Sequence, residues 1–214
     1  MKVRMGEHGL YCEADAEYHR QRKSIVKPES FTIKKIIGDR IAYPDEPIWI
    51  LDGKMSSDGF IQKSLVWHIK GQYGNRMPKL ASRITGTNAL DICSSYGVSS
   101  RELYTKHQSV DVVEIEPWYA KIVQANLYMW GYKDIINVTS TKDFTNLDYT
   151  AYDSVRFGIK EIEHLFWQHE DEFVKMDNIC FEFAANQKIV DILLDKGFTQ
   201  RYHSPCNDIF TKHK

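Results

Sequence analysis

The residues of this chain whose types and spacing suit chemistry fall into four groups. Asp91 opens the run Asp91-Ile92-Cys93-Ser94-Ser95-Tyr96-Gly97, where Cys93, Ser94, Ser95 and Gly97 are small enough for a ligand to approach the backbone. Val112-Val113-Glu114-Ile115-Glu116-Pro117 places Glu116 at the end of an apolar run, 25 residues after Asp91. A carboxylate there accepts two hydrogen bonds from a ribose diol, as in nucleotide-binding βαβ units. The alternative is an exposed acid that caps the next helix, with Pro117 in that helix's first turn. In Thr141-Lys142-Asp143-Phe144, Asp143 suits an adenine amino group and Phe144 the ring face, although Asp143 fits a turn equally well. Lys160, Glu161, Glu163 and His164 are candidate general bases, His164 having the ordinary pKa nearest neutrality. Each also suits a plain surface helix.

The elements that must position these groups alternate regularly from residue 88 onward. Strands are predicted at 88–93, 110–115, 135–140, 152–158 and 178–184, with helices at 99–107, 118–130, 161–176 and 186–197 between and after them. Gly131 and Gly197 sit where helix C-terminal caps belong. Two last strands, 198–203 and 207–213, are joined by Ser204-Pro205-Cys206, too short for a crossover helix, so they must run antiparallel. The expectation is an α/β fold: a seven-stranded, mostly parallel Rossmann-like sheet with the last strand antiparallel and helices on both faces. This order resembles the class I methyltransferase fold. A dehydrogenase domain more usually continues with parallel strands, so the terminal hairpin argues against it. Residues 1–87 read as an N-terminal extension of short strands (31–37, 39–44, 47–53) and helices (56–74, 77–84), with a linker near 71–75 and a basic segment at 19–27. Residues 88–214 form the cofactor-binding domain.

Composition bounds the partners. The 214 residues are 43% hydrophobic and 27% charged with a formal net charge of −1, so no global field draws the protein to nucleic acid or an anionic membrane. No apolar run is long enough to span a bilayer, and the N-terminus lacks the apolar stretch of a secretory signal, which makes the cytoplasm the default location. Cys12, Cys93, Cys180 and Cys206 form no metal-binding spacing, so neither metal nor disulfide framework is expected. Nothing fixes the oligomeric state, and a homo-oligomer is compatible. Trp118, Tyr119, Tyr128, Trp130 and Tyr132 give helix 118–130 more aromatic surface than one core face needs, suited to packing on the N-terminal lobe or stacking a sugar.

With these residues in view, the chain resembles the FkbM-type methyltransferase family over roughly residues 88–203. The family's first-strand motif, D-hydrophobic-G-A-N-x-G-x-x-S, matches at Asp91, Gly97 and Ser100 and departs at Cys93 and Ser95. Its Glu-Pro pair followed about ten residues later by Asn is reproduced by Glu116, Pro117 and Asn126. Its fourth-strand acids are replaced by Gly158 and Lys160, leaving Glu163. The resemblance implies S-adenosylmethionine as cofactor, held by Asp91, Cys93, Ser94, Ser95, Tyr96, Gly97, Ser100, Glu116, Pro117, Asp143 and Phe144. It implies O-methylation of a hydroxyl on a saccharide or small molecule, with Glu163, His164 and Lys160 as catalytic candidates. The lost acids leave a second expectation, a catalytically inactive cofactor-binding scaffold. A nucleic-acid methyltransferase is disfavoured by the neutral charge and by Phe157-Gly158-Ile159-Lys160 where an Asn-Pro-Pro-Tyr-type motif would stand.

Overall fold

The structure, a computed structural model, describes residues 83–94, 96–132, 135–204 and 207–212, together with the strands at 3–6, 9–12, 31–37 and 47–53. The segments 19–27, 39–44, 56–74 and 77–82, and Ser95, lie outside the described residues. The chain divides into two compact units, Met1–Pro78 and Lys79–Lys214.

The first unit contains two hairpins. Strands β1 (Val3–Gly6) and β2 (Gly9–Cys12) pair antiparallel. Strands β3 (Phe31–Ile37) and β4 (Pro47–Gly53) do likewise, in a register that sets Phe31 opposite Gly53 and Ile37 opposite Pro47. The second hairpin matches two of the predicted strands, while the first was not anticipated.

The second unit runs β5 (Asn88–Ile92), α1 (Val98–Tyr104), β6 (Ser109–Glu114), α2 (Pro117–Met129), β7 (Ile136–Ser140) and β8 (Ser154–Phe157). It continues with α3 (His164–Gln168), α4 (Glu170–Phe173), β9 (Asn178–Phe181), α5 (Gln187–Asp195), β10 (Phe198–Ser204) and β11 (Asn207–Lys212). The sheet order is β10-β11-β9-β8-β5-β6-β7. Strands β5 to β9 are mutually parallel, and β11 runs antiparallel between β9 and β10. The fold class expected from the sequence is the fold observed.

Period-two alternation splits the core into two layers. Leu90, Ile92, Val113, Val155, Phe157, Ile179 and Phe181 face one side, where α3, α4 and α5 cover them with Leu165, Phe166, Phe173, Ile189 and Leu193. Ala89, Val110, Val112, Cys180 and Ile209 face the other, beneath Leu103 of α1 and Val123 and Leu127 of α2. The phenylalanines dominate the first layer: Phe157 stacks on Phe181 with centroids 4.9 Å apart, and Phe173 meets Phe157 edge-on at 5.2 Å.

One element departs from expectation. The single helix predicted at 161–176 is a 3-10 turn (Lys160–Ile162) followed by α3 and α4, with His169 at the break in a non-helical conformation (φ −131°, ψ 34°). Its ring packs on Tyr149 at 4.4 Å, so tertiary contact turns the chain where apolar spacing alone reads as continuous helix.

Candidate functional site

Parallel sheets place ligands beyond the carboxyl ends of their strands, near the point where strand order reverses. Here that point lies between β5 and β8. The loop after β5 is built tightly there. Cys93 donates its N–H to the Val113 carbonyl at 2.8 Å and adopts φ 62°, a left-handed conformation unusual for a side-chain-bearing residue. Glycine is commoner at this position in the resembling motif, and the backbone shows why. Gly97 (φ 83°) then starts α1, and a Cβ there would press within 3.3 Å of Val123 on α2.

Asp91 is fully buried and works on the loop from beneath. Its carboxylate accepts from Ser99 Oγ at 2.9 Å and Ser100 Oγ at 2.6 Å, and pairs with the Arg156 guanidinium. Ser94 Oγ joins the same serines at 3.1 and 2.7 Å. The Tyr96 carbonyl accepts from Asn126 Nδ2 at 2.9 Å, so the Asn of the Glu-Pro-Asn pattern ties α2 to the loop after β5. The Tyr96 ring is buried and meets Tyr119 edge-on at 6.0 Å. Asp91, Ser99, Ser100 and Asn126 thus shape the loop, while Cys93 and Ser94 carry its backbone past the strand tip.

Glu116 stands at the tip of β6. Its backbone carbonyl starts α2, yet its side chain makes no capping hydrogen bond, and Pro117 occupies the first turn. The carboxylate keeps 27% of its surface exposed and, among the described residues, pairs with the largely solvated Lys142 ammonium at 3.7 Å. Such exposed pairs hold little energy, which leaves the carboxylate able to take a ribose diol.

After β7, Asp143 accepts from the Thr145 hydroxyl at 2.5 Å and N–H at 3.0 Å, and from Asn146 at 2.9 Å. These bonds, the Thr145 hydroxyl first, hold its carboxyl below the usual range. Its lone pairs serve its own turn, and Phe144 is packed into the core with its carbonyl accepting from Tyr149 Oη at 3.0 Å.

The candidates after β8 divide. Glu163 Oε1 accepts from Lys160 Nζ at 2.5 Å and from the Asn186 N–H at 2.7 Å, and Lys160 also donates to the Ala184 carbonyl at 3.1 Å. Together they pin the loop after β9 to the loop after β8. His164 is exposed, with Nδ1 on the Glu161 carbonyl at 2.8 Å. At Gly158 a Cβ would lie 2.2 Å from the Cys93 carbonyl oxygen, because the Gly158 N–H bonds to Ile92 across the strand tips at 2.8 Å. The acid of the resembling motif has no room here.

Arg156 and Glu182 were not singled out from the sequence. Arg156 lies within β8 and pairs with both Asp91 on β5 and Glu182 just past β9, all three side chains at most 3% exposed. The missed signal was a lone Arg in Val155-Arg156-Phe157 and a lone Glu in Cys180-Phe181-Glu182-Phe183, charges that buried strands tolerate only when paired.

The chain matches no protein-family model and no curated protein sequence. Solved structures do resemble it. Over 65% of this chain and 68% of its own, M. capricolum TrmK in complex with its cofactor product S-adenosyl-homocysteine aligns with a TM-score of 0.50 at 14% identity. Streptococcus pneumoniae Sp1610 in complex with S-adenosyl-L-methionine aligns with a TM-score of 0.50 at 16% identity, over 64% and 73%. The M. jannaschii tRNA m1G37 methyltransferase aligns with a TM-score of 0.52 at 11% identity, over 89% and 59%. The fold is that of the class I methyltransferases. Among the described residues of this methyltransferase fold, no helix is long and apolar enough to cross a membrane, and no three His, Cys, Asp or Glu are grouped to hold a metal ion.

Proposed function

We propose that this chain is an S-adenosylmethionine-dependent methyltransferase. The observation that carries the reading is Glu116, an uncapped, partly exposed carboxylate at the tip of β6, one strand from the strained loop at Cys93. When bound, S-adenosylmethionine supplies an electrophilic methyl group on a sulfonium. Glu116 would accept both ribose hydroxyls, and the 93–97 backbone would line the methionine portion. The turn that carries Asp143 and Phe144, after β7, would border the adenine end. Solved neighbours bound to S-adenosylmethionine or its product support the same ligand.

Methyl transfer asks mainly that an acceptor atom be held in line, so positioning carries most of the acceleration. Lys160 and Glu163 are engaged with each other and with the loop after β9, and serve to position it. His164 is the candidate that keeps an exposed imidazole for a proton. For the acceptor we favour a hydroxyl on a saccharide or small molecule, on the resemblance at Asp91, Gly97, Ser100, Glu116, Pro117 and Asn126. A tRNA base is the second reading, favoured by the likeness to the M. jannaschii tRNA m1G37 methyltransferase.

Calorimetric titration with S-adenosylmethionine and S-adenosylhomocysteine tests the cofactor. Micromolar binding of both is expected, with Glu116→Ala weakening it by about 1–3 kcal/mol, the loss of charge-assisted hydrogen bonds. Full affinity in a folded Glu116→Ala protein rules the ribose assignment out. Labelled methyl transfer to saccharides and to unmodified tRNA, run in parallel, then decides the acceptor. Binding with no transfer to either leaves the scaffold reading in its place.

A further inference from the structure

One buried carboxylate oxygen beside the strand tips has no hydrogen-bond partner. Cys93, Gly158 and Glu182 extend adjacent strands side by side, the Gly158 N–H bonding to Ile92 and the Glu182 N–H to the Phe157 carbonyl at 2.9 Å. Glu182 therefore stands two strand spacings, about 10 Å, from the Cys93 loop. Asp91 and Arg156 are register partners, as are Arg156 and Cys180, so Glu182 lies on the same sheet face as both. Arg156 bonds both carboxylates, but it is one cation against two anions. Glu182 Oε1 is buried and has no hydrogen-bond partner.

Among the described buried residues Arg156 is the one permanent cation. Lys160, at the same sheet edge, is committed to Glu163 and the Ala184 carbonyl. An uncompensated buried anion is costly unless something positive sits within its reach.

We infer that the Asp91–Arg156–Glu182 triad is a cation-selecting device, whose surplus negative charge at Glu182 favours a positively charged sulfonium cofactor over its neutral thioether product. The inference rests on the cofactor reading above and deepens it. The field needs no direct contact, since a unit charge acts over several ångströms in a partly desolvated site. It helps product leave, because transfer of the methyl group removes the positive charge that the triad holds.

The test compares three ligands by calorimetry on the full chain: S-adenosylmethionine, S-adenosylhomocysteine, and sinefungin, which restores a positive charge as an amine. In Glu182→Gln the preference of the wild type for the two cationic ligands over S-adenosylhomocysteine should fall by about tenfold, with S-adenosylhomocysteine affinity changed less than twofold. Glu182→Asp, which keeps the charge, should retain the preference. An equal loss for all three ligands overturns the inference in favour of a purely structural triad, and so does an unchanged ratio. If Glu182→Gln does not fold, Glu182→Ala leaves the neutral Asp91–Arg156 pair and is read in the same way. A folded wild-type protein that binds none of the three sinks the cofactor reading itself, an outcome distinct from an altered ratio.

Discussion

At Gly158 a single methyl group decides whether two strand tips can stay paired. Its Cβ would collide with the backbone of Cys93 and Ile92, neither of which can swing aside like a side chain. Gly158→Ala should cost at least about 2 kcal/mol, because relief requires opening the β5–β8 edge. Urea unfolding checks this, and a midpoint shift within error counts against it. His107 gives a pH signature. Its imidazole is buried, with Nδ1 on the Leu103 carbonyl at 2.8 Å and Nε2 on Ser154 Oγ at 3.0 Å. Burial pushes its pKa below the ordinary 6.5, against smaller pulls upward from the Leu103 bond and Asp153. The unfolded chain then binds more protons than the native one in mild acid. Stability from this group is complete above about pH 6.5 and falls as pH drops through that value. Thermal midpoints between about pH 7.5 and 5.5 should decline more steeply in wild type than in His107→Gln. Parallel slopes would remove His107 as the cause.

Among the elements, β11 holds the most exacting position. It is bonded on both sides, to β9 through Asp208–Thr211 and to β10 through Asn207–Lys212, and Ile209 is fully buried within it. Proline at 209 removes a ladder donor and wedges a ring into a central strand, so Ile209→Pro should abolish the cooperative unfolding transition seen by far-UV circular dichroism. A native-like transition would mean the hairpin is peripheral. The loops between elements are interlocked in the same way. Asp208 accepts from the Ala185 N–H at 2.8 Å, and Glu163 from the Asn186 N–H, so the loop after β9 is gripped from two sides.

For the whole molecule, the described site residues all belong to the unit Lys79–Lys214, whose sheet carries two complete core layers. A fragment covering residues 79–214 should therefore fold alone and bind S-adenosylmethionine within about threefold of the full chain. Circular dichroism and calorimetry on that fragment decide it. A folded fragment with strongly reduced affinity would mean that the second unit alone does not suffice for binding.

The sequence by itself determined what depends on local periodicity. Alternating apolar runs located the strands of the second unit and its helices other than α3 and α4, which they merged into one. Three residues between the last two strands forced the antiparallel hairpin, and Glu-Pro at 116–117 put a carboxylate on a strand tip. Only the tertiary structure decided which distant groups meet. Asp91, Arg156 and Glu182 lie far apart in sequence and become neighbours because β5, β8 and β9 are adjacent in the sheet. The same adjacency turned Lys160 and Glu163 into a clamp, closed the space at Gly158 and broke the helix at His169. Hydrophobic spacing records which face a residue turns inward, but not which strand will lie beside it.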